Sequence, residues 1–166
     1  MPVQTRAAPA TPASLELFNT APAEEAARTL LTCLNSRDWA HRLTAHRPYP
    51  DLPALLAAAD EAAYDLTPGE LGQALASEAL PALPEDTYAA AHTALSAATA
   101  AYEARFGHAF VICMDGLTAD EALNHVLAAI RSRLANDPDE ERLVAAEELR
   151  RLARARLTGA LGGAGR

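Results

Sequence analysis

Alanine and leucine supply most of the apolar residues in this sequence, and this restricts the fold more than any other feature. Alanine alone makes up about a quarter of the 166 residues, whereas aromatic residues account for 5%. A hydrophobic core must therefore be built from alanine and leucine, which are among the strongest helix formers. The sequence predicts an all-α fold in which helices pack on helices.

Residues with capping and helix-breaking properties divide the central part of the chain into about seven helices. Asn19 and Thr20 are expected to cap the first, with Pro22 in its first turn. Further helices are expected to begin at Ser36, Asp51, Thr67, about Glu85, Thr118 and Asp137. The long helix from Glu85 should end at Gly107.

The remaining segments have other patterns. Residues 110–113 form an apolar run with β-forming side chains that is too short for a helix, so a short extended segment is expected there. Residues 1–14 are small and proline-rich, which predicts a disordered lead-in. Residues 159–166 are glycine-rich and predict a flexible tail. The domain is therefore expected to span residues 15–158.

Charge and composition exclude several classes of protein. The formal net charge is −8, which argues against nucleic-acid binding. No apolar run is long enough for a membrane span. All 14 basic residues are arginine, which excludes a Schiff-base lysine and a phosphate-loop lysine. Cys33 and Cys113 lack metal-ligand spacing, so no metal is expected, and a reducing cytoplasm is the expected location.

Two regions are candidate sites on residue chemistry alone. The non-helical segment of residues 107–116 exposes peptide groups that need partners, and a bound ligand is one option. Arg150, Arg151, Arg154 and Arg156 lie near a helix C-terminus, where cations are favoured, and a partner surface there is an alternative. Composition by itself assigns neither region a function.

Several short motifs, taken together and in order, resemble one known family. In the first half they are Phe18-Asn19-x-x-Pro22, Leu30-Leu31-x-Cys33, Ser36-Arg37-x-Trp39 and Arg47-Pro48-Tyr49. In the second half they are Tyr102-Glu103-Ala104-Arg105-Phe106-Gly107, Phe110-Val111-Ile112-Cys113, Gly116, Ala119-Asp120-Glu121 and Arg133-Leu134-x-Asn136. This ordered set resembles the 2-oxo-4-hydroxy-4-carboxy-5-ureidoimidazoline (OHCU) decarboxylases.

The resemblance implies a helical, cofactor-free carboxy-lyase of urate and purine catabolism that releases CO2 from OHCU and forms (S)-allantoin. It also implies a small-molecule substrate and a homodimer, while the bias of the composition toward alanine and arginine is typical of a bacterial source with a high-GC genome. Such an enzyme must bind a polar heterocycle, stabilise charge as the carboxylate leaves and deliver a proton to one face of the carbanion.

The sequence departs from the family at its ionisable residues. Counting from Thr67, the positions of the family's His-Pro pair hold Glu78 and Ala79, and no Ser-x-x-Glu-Gln motif occurs. Asp115 stands where the family has an arginine. Glu78 and Asp115 together would repel an anionic substrate, and each would disfavour ionisation of the other. His108, beside the extended segment, is a candidate replacement acid.

The expected catalytic residues are therefore Glu78, Asp115 and His108. The expected substrate-binding residues are Ala79, Phe110, Val111, Ile112, Cys113 and Met114, the last five through their peptide groups. Two alternatives to the family reaction stay open. One is altered chemistry on a different small molecule in a bacterial specialised pathway, and the other is a non-catalytic binding or structural protein.

Overall fold

The computed structural model describes residues 14–80 and 88–162, with Ala119 described by its backbone only. These residues contain eight helices and no strand: α1 (Ser14–Thr20), α2 (Ala23–Cys33), α3 (Arg37–Ala45), α4 (Leu52–Tyr64), α5 (Pro68–Ala76), α6 (Ala89–Phe106), α7 (Ala119–Arg133) and α8 (Pro138–Leu161). The all-α prediction is confirmed.

Most helices begin where local cap chemistry predicts. The N-cap side chains of Ser36, Asp51, Thr67, Thr118 and Asp137 each accept a hydrogen bond from the first turn of their helix. Thr67 and Thr118 form full capping boxes with the glutamate three residues later. Gly107, at φ +78°, ends α6 in the left-handed conformation that glycine adopts without strain.

The predicted cap at Asn19 and Thr20 is wrong. Both residues lie inside α1, and the N-cap of α2 is Pro22. The reason is a long-range contact: the Asn19 amide donates to the Tyr49 carbonyl and accepts from the Tyr49 N–H, both at 2.9 Å. Since this side chain is committed to Tyr49, it is not available to cap the following helix.

The chain ends also differ from expectation. Ser14 begins α1, while residues 1–13 of the expected lead-in lie outside the described residues. Residues 159–161 of the expected tail belong to α8, which continues to Leu161, whose side chain is buried, and residues 163–166 lie outside the described residues. Glu85, the expected start of α6, lies outside the described residues, and the helix that is described begins at Ala89.

The buried side chains form two hydrophobic clusters. The main cluster joins α1 to α5 with α8, around Trp39, Leu30 and Leu55. The second cluster joins α6 and α7, through Tyr102 and Ile130. Helix α8 packs directly on α1, α2 and α4, whereas α6 packs on α7.

The segment between α6 and α7 joins these two clusters. Phe110 and Ile112 are buried in the second cluster, whereas Val111 between them is buried in the main one. Alternation of neighbouring side chains to opposite sides is typical of extended backbone. The predicted short extended segment is therefore present at residues 110–112, although it pairs with no strand among the described residues.

A pair of leucines in α8 tests the main cluster. Leu149 is 1% exposed and Leu143 is 74% exposed, so they share a helix and differ in burial. Leu149→Ala should lower the free energy of unfolding by about 2–5 kcal/mol through lost burial and a residual cavity. Leu143→Ala should change it by less than about 0.5 kcal/mol. Urea denaturation followed by circular dichroism measures both, and equal effects would contradict this packing.

Candidate functional site

A cleft of about 250 Å³ lies between the residues that follow α5, the extended segment and the C-terminal half of α8. It is lined by Glu78, Ala79, Leu80, Phe110, Val111, Ile112, Met114, Leu152 and Arg156. Six of the nine expected site residues therefore meet in one place, although they come from sequence positions more than thirty residues apart. Apart from Glu78 and Arg156, the described lining is without ionisable side chains.

Glu78 and Arg156 form a bidentate ion pair in this cleft. Arg156 Nη1 lies 2.8 Å from Glu78 Oε1, and Nη2 lies 2.8 Å from Oε2. The Glu78 side chain is 8% exposed and that of Arg156 is 36% exposed. The hydrogen bonds to Glu78 raise the pKa of Arg156, which therefore stays protonated at every physiological pH.

Arg156 also anchors the cleft to α2. Its Nη1 also donates to the Cys33 carbonyl at 3.1 Å, so the guanidinium binds both Glu78 and the end of α2. A second, more polar depression of about 430 Å³ shares Glu78, Ala79 and Arg156 with the cleft and adds Thr32, Asn35 and Ser77. The ion pair thus lies where an apolar cleft meets a polar depression.

The peptide groups of the extended segment are only partly available to a ligand. The Val111 carbonyl accepts from Arg133 Nη1 at 2.6 Å, and the Cys113 N–H donates to Glu148 Oε2 at 2.8 Å. These two groups were expected to bind substrate and are instead bonded within the protein. Among the described residues, the N–H and carbonyl of Ile112 have no partner.

Asp115 and Cys113 do not lie in the cleft. They line a separate depression of about 840 Å³, together with Asp60, Arg150 and Arg154. The expected repulsion between Glu78 and Asp115 in one acidic pocket is therefore wrong. The carboxylate that does lie in the cleft is compensated by Arg156, and the cleft carries no net charge from these two groups.

His108 also lies outside the cleft lining. Its ring contacts the edge of Tyr102 with 5.6 Å between centroids and stacks on Phe106 at 6.3 Å. Its Nδ1 lies 3.0 Å from the Ala109 carbonyl. The structure thus places this half-buried histidine as a packing residue behind the extended segment.

The arginines of α8 are divided between two surroundings. Arg150 and Arg154 both bind Asp60 at 2.8 Å, which ties α8 to α4. Arg156, in contrast, lines the cleft. The sequence pattern did not predict this position, because Arg156 was assigned to one surface together with Arg150, Arg151 and Arg154. The available signal was register: Arg156 follows Leu152 by four residues and Leu149 by seven, so it lies near the apolar face of α8.

Residues 14–80 and 88–162 contain no group of three His, Cys, Asp or Glu side chains close enough to hold a metal ion. None of the helices in those ranges is both long enough and apolar enough to cross a membrane.

Known proteins share this sequence pattern and fold. The OHCU decarboxylase family profile matches residues 19–86 and 77–158. A crystal structure of (S)-allantoin synthase superposes with a TM-score of 0.73 at 20% identity, covering 90% of this chain and 54% of that one. A crystal structure of OHCU decarboxylase in the presence of (S)-allantoin superposes with a TM-score of 0.70 at 20% identity, and the match covers 86% of this chain and 99% of that one. No curated protein sequence matches the chain.

The fold and the cleft define an all-α domain with a recess of small-molecule size between its last helix and an extended segment. Because the family profile covers most of the residues, the chain belongs to the OHCU decarboxylase family. The chain spans about half the length of the (S)-allantoin synthase structure. At 20% identity, the two crystal structures establish the shared fold.

The Glu78–Arg156 pair makes a stability prediction. Arg156→Ala should lower the free energy of unfolding by about 1–3 kcal/mol, because it leaves the Glu78 carboxylate buried without its partner. The double variant Glu78→Ala/Arg156→Ala should be more stable than Arg156→Ala alone. Urea denaturation at pH 7 measures both. A double variant less stable than the single one would show that Glu78 does not depend on Arg156.

Proposed function

We propose that this protein is a cofactor-free decarboxylase that converts OHCU to (S)-allantoin and CO2. Membership of the family supports the reaction class. The observation that carries the proposal is the position of Arg156, a guanidinium paired with Glu78 in a cleft whose other described lining residues, Ile112 among them, have no ionisable side chain. A guanidinium suits a carboxylate, and peptide groups suit the ureido and amide groups of the substrate.

In this proposal each part of the cleft has one role. Arg156 binds the carboxylate that will leave, exchanging one of its bonds to Glu78 for the substrate. The N–H and carbonyl of Ile112 bind the amide groups and orient the ring. Phe110, Met114 and Leu152 exclude water, which strengthens the electrostatic interactions in the cleft.

The proposed reaction breaks one carbon–carbon bond. The bond between the hydroxyl-bearing ring carbon and its carboxylate breaks, CO2 leaves, and the electron pair forms a double bond to the adjacent ureido-bearing carbon as the C=N electrons move onto nitrogen, which takes up a proton. A second proton then forms the new C–H bond at the ureido-bearing carbon, while the hydroxyl loses its proton and becomes the ring carbonyl of allantoin. Glu78 lines the cleft, and in this proposal its carboxyl group passes a proton from solvent to one face of that carbon.

This assignment keeps Glu78 and Ala79 and leaves out Asp115 and His108, since neither lines the cleft. From the composition and the cysteine spacing we also propose a bacterial cytoplasmic protein, and from the family resemblance a homodimer. Light scattering coupled to size exclusion measures the oligomeric state, and a monomer at micromolar concentration would contradict the dimer.

One observation favours a second candidate function. The bidentate pair leaves no uncompensated positive charge in the cleft. A neutral cyclic ureide, which carries both N–H donors and carbonyl acceptors, matches Glu78 and Arg156 without breaking their interaction. The chain would then bind or transform a neutral small molecule on the same fold.

A coupled assay that generates OHCU from urate in situ distinguishes these functions, with circular dichroism following the chirality of allantoin. The wild-type chain should form (S)-allantoin faster than the spontaneous reaction. Glu78→Gln keeps the size of the side chain and removes its acid, so kcat should fall by ~10²-fold or more. Racemic allantoin at the spontaneous rate with the wild-type chain would exclude the proposed reaction.

Two matched controls separate the cleft from its surroundings. Asp115→Asn removes a carboxylate outside the cleft, and His108→Ala removes the histidine that precedes the extended segment. Both should retain kcat within about twofold of the wild type, since neither group reaches the substrate. A large loss of kcat in either, with Glu78→Gln unaffected, would transfer the proton-donor role to that residue.

A further inference from the structure

A buried polar cluster lies behind the cleft, on the other side of the extended segment. The Glu141 carboxylate is fully buried and accepts three hydrogen bonds: from Tyr102 Oη at 2.5 Å, from Arg133 Nε at 2.7 Å and from Asn136 Nδ2 at 3.0 Å. Burial and the bond to Glu141 raise the pKa of Tyr102, so its hydroxyl remains a donor. Every buried polar side-chain atom described has a partner.

Arg133 connects this cluster to the cleft. One edge of its guanidinium binds Glu141, and Nη1 donates to the Val111 carbonyl at 2.6 Å. The same guanidinium lies 4.3 Å from the centroid of the Phe110 ring, a cation–π distance. Arg133 thus holds both the backbone and a side chain of the segment, yet it is not among the residues that line the cleft.

These contacts fix which peptide groups remain for a ligand. Extended backbone turns the peptide groups of successive residues to opposite sides. The bonds at the Val111 carbonyl and the Cys113 N–H therefore hold one side of the segment to the protein. The groups of Ile112 point the other way, and Ile112 lines the cleft.

A contribution to stability alone does not explain why the buried ion pair between Arg133 and Glu141 lies behind the extended segment. Well-packed apolar residues of similar volume often stabilise a protein as well as a buried pair does. What they cannot supply is a donor for the Val111 carbonyl. The planar guanidinium supplies it while Glu141 keeps the group itself fixed.

We propose that Arg133, held by Glu141, is a positioning residue that orients the 110–113 segment so that the peptide groups of Ile112 face the ligand. The assignment rests on the proposed function for its ligand, OHCU or its product. Arg133 itself touches neither substrate nor reacting atoms, and its effect passes through Val111 and Phe110.

The test removes both charges of the cluster together, so that neither is left buried alone, and it takes away the donor to the Val111 carbonyl and the acceptor of the Asn136 amide. In Tyr102→Phe/Arg133→Met/Glu141→Leu, both charges and the phenol hydroxyl are replaced by apolar groups of similar size. Tyr102→Phe alone is the matched control, because it keeps the bond from Arg133 to Val111. Arg133→Lys is the second variant should the triple variant not fold: it retains a charge beside Glu141 but loses the planar fork.

The rate of amide hydrogen exchange in the ligand-free protein measures how firmly the 110–113 segment is held. In the triple variant, or in Arg133→Lys, exchange at Cys113, whose N–H is bonded to Glu148, should accelerate by ~10-fold or more, because the segment has lost the bond that held the Val111 carbonyl. Exchange at Leu55 in α4 should change little, and Tyr102→Phe should resemble the wild type. Unchanged exchange at Cys113, or equal acceleration at Leu55, would overturn the proposal.

Binding and turnover supply the second measurement. The Kd for (S)-allantoin and the KM in the OHCU assay should both rise by ~10-fold or more in the variant, with a smaller change in kcat, because the ligand is held less well. Wild-type Kd and KM values in a folded variant would also overturn the proposal. A wild-type chain that neither binds (S)-allantoin nor converts OHCU would refute the proposed function, while the exchange measurement still decides the role of Arg133.

Discussion

The buried carboxylate of Glu141 is the interaction on which the relation between the two hydrophobic clusters depends. It lies on α8, whose other buried residues belong to the main cluster, yet it binds Tyr102 of the second cluster and Arg133 at the end of α7. A charge in this position is tolerated only with all its partners in place. The extended segment lies between the clusters and bonds to this group through Arg133, so the cleft takes its shape from it.

Under the proposed function, the carboxylate of the ligand competes with the carboxylate of Glu78 for the guanidinium of Arg156. Glu78 occupies Arg156 with two hydrogen bonds, and it is tethered to the same chain, so a free anion must displace a strong local partner. A ligand that offers only a carboxylate gains little from this exchange. A ureido carboxylate gains more, because its N–H groups can bind Glu78 while its carboxylate binds Arg156. The same pair that disfavours simple anions therefore favours ligands with both kinds of group.

The sequence predicted those features that depend on local chemistry. The N-caps at Ser36, Thr67 and Thr118 need only residues within the next turn, so they were found correctly. Asn19 was misread because its partner, Tyr49, lies thirty residues away. The placement of Glu78 beside the extended segment came from the family resemblance, whereas its partner Arg156 was missed, because no local pattern connects residues that are 78 positions apart.

The geometry of α8 explains why its functional side chains were difficult to recognise. Its buried residues recur at every fourth position: Glu141, Ala145, Leu149, Ala153, Leu157 and Leu161. Four residues of an α-helix turn through about 400°, so each step moves the buried face by about 40°, and five steps move it by about 200°. A stripe that winds halfway around the helix does not produce one amphipathic face. It does allow one helix to place Glu141 toward Tyr102 at its start and leucines toward the main cluster at its end. Arg156 reaches the cleft because it lies two residues, or about 200°, beyond Arg154, whereas Arg150 and Arg154 are four residues apart and both bind Asp60 of α4.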